Sequence, residues 1–267
     1  MKEKIGLIAG GGDLPFEFLK SAKLKKKEII IFSILNETNK GIEKFGFLTY
    51  WVSILELSKI IRLIKKENIK KIIFLGYIKH TNLLKNIKFD FLTLKLLAKL
   101  KDKRASTIMK AIIDEFKKNN IKILPSTYCL EHLLPDKGFL GKKKFDDKTL
   151  KDIEFGYKIA KKIADCDIGQ TIVIKNRIVV AVEAQEGTDM CIKRGAKIAG
   201  KNFIVIKAAR TSQDLRYDVP VIGEKTLKLI KESGGAGLVV EAKKTLILNK
   251  NETIKKADKL NLFVYAI

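Results

Sequence analysis

The sequence predicts an α/β fold of two mixed α/β domains, the N-terminal one Rossmann-like with a largely parallel sheet. Its 267 residues suit two domains of ordinary size. A hydrophobic fraction of 46% is enough to form buried cores and excludes a mostly disordered chain. In the first third, β-branched apolar runs alternate with stretches of helical periodicity, which is typical of a parallel sheet covered by helices.

The elements of the N-terminal domain, residues 1–134, follow from apolar runs and their spacing. Strands are expected in the short apolar runs at 4–9, 28–34, 71–76 and 121–124, of which 28–34 is rich in β-branched residues. Helices are expected where apolar residues recur at helical spacing, at 14–23, 53–67, 91–100 and 107–119. Asp13 is predicted to be the N-cap of the first helix, with Pro15 in its first turn.

Residues 135–148 change in composition and predict a linker, because glycines, three successive lysines and two aspartates are typical of an exposed connection. In the C-terminal domain, 149–267, runs at 170–174 and 178–183 lie three residues apart and predict a β-hairpin. Further strands are expected at 203–207, 237–241, 246–248 and 262–267. Helices are expected at 150–164, after the loop that begins at 187, at 226–233 and at 251–260.

The chain is strongly basic, with 54 Lys and Arg against 30 Asp and Glu and a net charge of +24. The lysines occur along the whole chain, which favours solvated faces of a lysine-rich protein over a dedicated nucleic-acid surface. Aromatic residues do not alternate with the basic runs, as base stacking would require. Such a charge favours anionic partners, such as phosphorylated substrates or an acidic membrane face.

Several classes of protein are excluded by what the sequence lacks. Cys129, Cys166 and Cys191 are widely spaced and there are only two histidines, so zinc ribbons, redox pairs and His-rich metal sites are excluded. A reduced, cytosolic environment is expected, and a metal held by carboxylates would be Mg²⁺ or Mn²⁺. No apolar run reaches the roughly 18–20 residues of a membrane span, and no secretory signal is expected.

A glycine-rich turn, Gly10, Gly11 and Gly12 followed by Asp13, comes directly after the first predicted strand. Glycines let the backbone approach an anion, and the next helix offers its N-terminal N–H groups to phosphate. The turn is neither a GxGxxG fingerprint nor a Walker A loop, so phosphate contact and a plain strand-to-helix turn both stay open. Lys79, just past the third strand, would lie where ligands bind in α/β sheets.

An acidic segment, 183–189, ends the predicted hairpin and contains three carboxylates and a threonine: Glu183, Glu186, Thr188 and Asp189. Acids at the carboxyl end of a strand suit metal binding or general-base work. The alternative is a helix cap formed by Thr188 or Asp189. Gln170, just before the hairpin, is a further candidate ligand.

The densest polar loop, 207–220, follows a clearly apolar strand. Its Asp214 and Asp218 alternate with Arg210 and Arg216, a set that would hold a divalent cation and a diphosphate together. The alternative is a surface loop with local salt bridges, which contribute little to stability.

Five sequence blocks, spread nearly from end to end, carry a family resemblance. They are IGLIAGGGDLP from Ile5, DIGQTIVI from Asp167, VAVEAQEGTD from Val180, VIKAARTSQDLRYDVPVIG from Val205 and GGAGLVVEA from Gly234. Together they resemble a bacterial UDP-2,3-diacylglucosamine pyrophosphatase of the lipid A pathway. The resemblance is to the type built on two α/β domains, not to the calcineurin-like metallophosphoesterase type. The EGTD and QDxRxDxP blocks, in this order and spacing, are its most specific part.

The resemblance implies hydrolysis of UDP-2,3-diacylglucosamine to lipid X (2,3-diacylglucosamine 1-phosphate) and UMP. It implies a requirement for Mg²⁺ or a similar ion such as Mn²⁺, a ligand cleft between the two domains, and a homodimer. A cytoplasmic enzyme is expected, associated at most peripherally with the inner membrane face where its lipid substrate lies, and with no nucleic-acid partner.

The resemblance also implies roles for individual residues. Asp214 and then Asp218 are the expected essential carboxylates, binding metal or activating water, and Asp189 and Glu186 would support them. The expected substrate-binding residues are Gly10, Gly11, Gly12, Asp13, Lys79, Gln170, Thr188, Lys207, Arg210, Gln213 and Arg216.

Two other functions stay open: a nucleotide- or dinucleotide-binding protein with a different activity, and a basic nucleic-acid-binding protein. The lack of GxGxxG and of an acidic residue at the end of the second strand counts against NAD. Neither alternative explains the acidic loop at 213–218.

Overall fold

The computed structural model describes residues 3–78, 90–102 and 104–267. The chain divides into two compact units, which confirms the predicted two-domain α/β class. The first unit comprises Met1–Leu130 with Leu215–Tyr217, and the second comprises Glu131–Asp214 with Asp218–Ile267. No helix in the described part of the chain has both the length and the apolar character needed to cross a membrane.

The first unit contains a five-stranded sheet in the order β3-β2-β1-β4-β5, and every pair in it is parallel. This order reverses direction at β1, as in doubly wound folds. Its strands are β1 Lys4–Ala9, β2 Glu28–Ile34, β3 Thr49–Val52, β4 Lys71–Leu75 and β5 Lys122–Ile123. Its helices are α1 Leu14–Leu24, α2 Leu57–Lys66, α3 Phe91–Ala98 and α4 Ala105–Lys118, with a 3-10 turn at Lys40–Phe45.

Two local features of this unit differ from the sequence prediction. Strand β3 and the 3-10 turn were not predicted, because four residues of mixed polarity give no clear alternation. The predicted start of the second helix at 53 is wrong, since Ser53–Glu56 form a turn in which Glu56 N donates to Ser53 O. Helix α2 therefore begins at Leu57.

The second unit contains a mixed six-stranded sheet in the order β6-β13-β11-β9-β7-β8. The central β9, β11 and β13 are parallel to one another. Strand β6 is antiparallel to β13, and β7 is antiparallel to both β9 and β8. Its strands are β6 Gly138–Phe139, β7 Thr171–Lys175, β8 Ile178–Val182, β9 Ile204–Lys207, β11 Gly237–Val240 and β13 Phe263–Ala266; β10 Val221–Ile222 and β12 Leu246–Ile247 form a separate parallel pair. Its helices are α5 Asp147–Asp165, α6 Thr188–Ala199, α7 Glu224–Glu232 and α8 Lys250–Lys259.

The predicted hairpin is confirmed as the antiparallel pair β7–β8. Asn176 and Arg177, at its turn, have φ of 50° and 57°. Two consecutive residues with positive φ are the geometry of a type I′ hairpin turn, whose twist matches that of the strands.

The predicted linker segment, 135–148, carries β6 and the first two residues of α5. Phe139 of β6 lies opposite Tyr265 of β13, and their ring centroids are 5.1 Å apart. The Phe139 ring also packs on Phe145 at 4.6 Å. The segment is thus part of the second unit, through contacts that its composition does not reveal.

Helices α5 and α6 lie against opposite faces of the second sheet, and both approach it through a glycine. A Cβ at Gly156 of α5 would lie 2.6 Å from Ile206. A Cβ at Gly195 of α6 would lie 2.7 Å from Val173. This close approach accompanies a contact between the first turn of α6 and the start of β7, where Thr188 Oγ1 lies 3.4 Å from Thr171 Oγ1.

Candidate active site

One edge of the second sheet gathers polar side chains from four strands. Strands β8 and β9 both run antiparallel to β7, and β11 is parallel to β9. The carboxyl ends of β8, β9 and β11 therefore meet at the edge where β7 begins. Glu183, Lys207, Glu241 and Thr171 stand at these four strand ends.

Lys207, the last residue of β9, is the centre of a hydrogen-bonded group. Its Nζ donates to Thr188 Oγ1 at 2.9 Å and lies 3.5 Å from Thr171 Oγ1. Thr188 Oγ1 in turn donates to Glu183 Oε1 at 2.9 Å, and Glu183 Oε2 accepts from the backbone N–H of Gln170 at 3.3 Å. Thr188 is the first residue of α6, so a lysine ammonium and a hydroxyl meet at a helix N-terminus, where anions are favoured.

Arg210 forms a second group beside the first. Its Nη1 lies 2.6 Å from Asp167 Oδ1, and its Nη2 pairs with Asp218 Oδ2. Gln170 Nε2 donates to the same Asp218 oxygen at 3.3 Å. Gln170 thus contacts Glu183 through its backbone and Asp218 through its side chain, which links the two groups.

The loop that carries Arg210 is held by its own side chains. Arg210 N donates to Gln213 Oε1 at 2.8 Å, and Gln213 Nε2 donates to the carbonyl of Asp218. Asp218 N donates to the carbonyl of Asp214 at 3.2 Å. The predicted candidates Arg210, Gln213, Asp214 and Asp218 therefore belong to one folded loop.

The structure brings only some of the predicted residues together. Glu186 lies at the surface, where a hydrogen bond from the Arg194 guanidinium holds its pKa below the usual range. Asp189 is exposed in the first turn of α6, and the predicted helix cap at this position is taken by Gly187 instead. Arg216 belongs to the three loop residues grouped with the first unit. The remaining predicted ligand, Lys79, lies outside the described residues.

The glycine-rich turn lies in the first unit, at the carboxyl end of β1. Gly10 N donates to Leu75 O at 2.8 Å, and Gly11 exchanges two backbone hydrogen bonds with Tyr77. A Cβ at Gly10 would lie 2.6 Å from the Tyr77 carbonyl oxygen, so glycine is required there by backbone approach. Asp13 is the N-cap of α1 with Pro15 in the first turn, as predicted, although its carboxylate makes no capping hydrogen bond. A role in phosphate binding for Gly10, Gly11, Gly12 and Asp13 stays a prediction.

In the part of the chain that the structure describes, the side chains do not form a preassembled Mg²⁺ or Mn²⁺ site. Within the described residues, no group of three or more His, Cys, Asp or Glu side chains could hold a metal ion. Asp218, one of the two expected ligands, is already engaged by Arg210 and Gln170. In proteins Mg²⁺ is often bound through one or two carboxylates completed by substrate phosphates.

Sequence reasoning included Glu183 in the acidic segment but missed two residues at this edge, Glu241 and Lys161. Glu241 directly follows an apolar strand, as Glu183 does, and this position is the signal that would have found it. Lys161, on α5, carries no such signal. Burial raises the pKa of Glu241, but hydrogen bonds from Lys244 and Lys161 outweigh it and hold the pKa below the usual range. Burial and the Glu241 carboxylate raise the pKa of Tyr157 to about 12.

Comparison with known proteins gives a consistent family match. The family model described as the LpxI N-terminal domain matches residues 4–133, and that of the LpxI C-terminal domain matches residues 136–265. A curated relative, the UDP-2,3-diacylglucosamine pyrophosphatase LpxI of Caulobacter vibrioides, is 29% identical over 275 residues. The match covers 99% of this chain and 97% of the relative.

Similarity to solved structures is low. A UDP-glucose-4-epimerase of Stenotrophomonas maltophila with bound NAD is 11% identical, with a TM-score of 0.30. The match covers 45% of this chain and 35% of the epimerase, so the chain spans about a third of that protein's length. An isoflavone reductase is 10% identical with a TM-score of 0.30, over 100% of this chain and 78% of the reductase. Similarities at this level say nothing about function.

Proposed function

The chain belongs to the LpxI family, and on this premise we propose that it is a UDP-2,3-diacylglucosamine pyrophosphatase of lipid A biosynthesis. Water cleaves the diphosphate of the substrate and gives UMP and 2,3-diacylglucosamine 1-phosphate. The observation that carries this proposal is the match of both LpxI domains, in order, along the chain. The dinucleotide-binding and nucleic-acid-binding alternatives gain no support from these matches.

The edge of the second sheet where β8, β9 and β11 end and β7 begins carries the polar groups that this chemistry needs. Cleavage of a diphosphate needs stabilisation of negative charge on the phosphoryl oxygens and a positioned water. Lys207 and Arg210 supply two cationic groups at the same edge, and the Thr188 hydroxyl adds a neutral donor. These three side chains would bind the diphosphate, with the first turn of α6 contributing its N–H groups.

The carboxylates of the loop supply the base. Asp214 and Asp218 are the proposed essential residues, and Asp218 is fixed by Arg210 and Gln170 rather than free to rotate. A carboxylate within hydrogen-bonding distance of water accepts its proton as the bond to phosphorus forms. Glu183 instead holds Thr188, so we assign it to positioning.

The requirement for Mg²⁺ or Mn²⁺ stays a proposal that rests on the family resemblance. When bound, a divalent ion would neutralise charge on the diphosphate. Among the described residues the carboxylates do not form a preassembled metal site, so Lys207 and Arg210 are the cations that we propose bind the diphosphate. Assembly as a homodimer and peripheral association with an anionic membrane face are also proposals, the second supported by the net charge of +24.

The test is hydrolysis of UDP-2,3-diacylglucosamine by the purified protein, with UMP and lipid X followed separately. Release of both products in equal amounts is the expected result. Parallel reactions with Mg²⁺, Mn²⁺ and EDTA test the metal requirement on its own, since activity that survives EDTA would remove only that part. A folded protein that releases neither product with any of these metals would overturn the proposed function.

A further inference from the structure

Two further residues at this edge of the sheet, Glu241 and Lys161, hold the peptide groups on both sides of Ala209. Glu241 Oε2 accepts from Ala209 N at 3.0 Å. Lys161 Nζ donates to Ala209 O at 2.5 Å and lies 3.2 Å from Glu241 Oε2. Lys161 lies on α5 and Glu241 directly follows β11, 80 positions further along the chain. Both bind the backbone of one residue, Ala209, in the loop that follows β9.

The setting of Glu241 shows how firmly this contact is built. Its side chain is only 7% exposed, and that of Lys161 only 18%. A buried carboxylate is costly unless it is paired and hydrogen-bonded. The Glu241 carboxylate accepts from Ala209 N and Lys161 Nζ, and Lys244 Nζ also lies 2.7 Å from its Oε1. The loop backbone is therefore bound to a charge that has little freedom to move.

Arg210 directly follows Ala209, the residue whose backbone Glu241 and Lys161 bind. Its own N–H is bound by Gln213, and its guanidinium lies between Asp167 and Asp218. Its backbone and side chain are thus fixed from three directions, of which Glu241 and Lys161 provide the first. We propose that Glu241 and Lys161 are positioning residues that fix the backbone at Ala209 and so aim the Arg210 guanidinium at the substrate diphosphate. This rests on the proposed function.

A conservative variant tests the charge without removing the side chain. Glu241→Gln keeps an oxygen for Ala209 N but loses the charge that holds Lys161 and Lys244. A small misplacement of a catalytic group lowers turnover by up to about 100-fold, so we expect kcat to fall roughly 10- to 100-fold. The matched control is Glu252→Gln on α8, which removes an exposed Glu252–Lys255 pair and should leave kcat unchanged.

A double-mutant cycle with Arg210 separates positioning from general damage. If Glu241 acts through Arg210, Glu241→Gln lowers turnover in the wild type but has less than about a twofold effect in an Arg210→Ala background. The residual activity of that background is measured at high enzyme concentration. An equal loss in both backgrounds, or no loss in the wild type, would overturn the proposal.

Amide hydrogen exchange tests, independently of catalysis, whether Glu241 and Lys161 hold the backbone at Ala209. Exchange at Ala209 and Arg210 should be faster in Glu241→Gln and in Lys161→Met than in the wild type, and unchanged in Glu252→Gln. Unchanged exchange in both Glu241→Gln and Lys161→Met would show that these side chains do not hold the Ala209 backbone. If the wild type releases no UMP, the proposed function fails, and the exchange rates still decide whether Glu241 and Lys161 hold this backbone.

Discussion

Lys207 Nζ donates a 2.9 Å hydrogen bond to Thr188 Oγ1, which joins the end of β9 to the first residue of α6. The two residues are 19 positions apart in sequence and belong to two different blocks of the family resemblance. Their contact places a cation where the helix N-terminus also favours negative charge. The proposed diphosphate site therefore depends on this contact.

Replacing Lys207 by methionine should lower kcat for UMP release by at least about 100-fold. The reason is that removal of one preorganised donor at a developing negative charge costs about 10²- to 10³-fold. Lys255→Met, at an exposed pair on α8, is the matched control and should keep full activity. Normal turnover by a folded Lys207→Met protein would exclude this residue from the site.

Thr188 separates the effect of its hydroxyl from that of its shape. Thr188→Val keeps the branched side chain but removes the oxygen shared by Lys207 and Glu183. We expect roughly a 10- to 150-fold loss of kcat/KM, since a hydrogen bond to a charged group contributes about 1.5–3 kcal/mol. Thr188→Ser should stay within about threefold of the wild type. Equal activities of the valine and serine variants would show that the hydroxyl has no part in the reaction.

The two loop aspartates give the sharpest test of the proposed chemistry. Asp214→Ala and Asp218→Ala should each lower turnover more than about 10³-fold while the protein stays folded, as expected for residues that act as a unit. Asp114→Ala, at an exposed Asp114–Lys117 pair on α4, is the control. Circular dichroism and a thermal transition verify the fold of each variant. Near-normal turnover by both loop variants would refute the assignment.

The sequence predicted the main strands because they are short, mostly apolar runs that are buried after their first residue. The bounds of β1, β2 and β4 agree with the prediction within one residue. Strand β6 has only two residues, and it forms because Phe139 packs on Tyr265. A contact of this kind leaves no local pattern to detect.

The candidate site could be predicted only in part, for the same reason. The loop at 207–220 is conspicuous because it combines many charges after an apolar strand. Lys161 is one of 54 basic residues, and it meets Glu241 from 80 positions away. Its role becomes visible only when the chain is folded, because nothing in its neighbourhood in sequence distinguishes it.

The approach of α6 to the sheet predicts a stability effect at Gly195. An added Cβ would lie 2.7–2.9 Å from three atoms of Val173, which is too close for ordinary packing. Alanine is favoured in a helix by about 1 kcal/mol, but overpacking a core costs about 1–3 kcal/mol. We therefore expect Gly195→Ala to lower the free energy of unfolding, measured with urea. Gly223→Ala, whose Cβ would meet Leu248 at 3.4 Å, should change it by less than about 1 kcal/mol.

The buried carboxylate of Glu241 should make the protein less stable at acidic pH than at neutral pH. Because its pKa is lower in the folded protein than the ordinary value of 4.5, the unfolded chain binds more protons between these two values. The contribution of Glu241 to the free energy of unfolding is thus fully present above the ordinary value. This contribution is lost as the pH falls through the lowered pKa that Glu241 has in the folded protein.

Urea unfolding of the wild type and Glu241→Gln, from about pH 7 to about pH 3.5, measures this contribution as the difference between the two proteins. The difference should be constant near neutral pH and should shrink at the acidic end, because other titrating groups are common to both. The exposed control Glu252→Gln should show a small difference with little dependence on pH. A difference between wild type and Glu241→Gln that stays constant over the whole range would mean that Lys161 and Lys244 do not lower the Glu241 pKa.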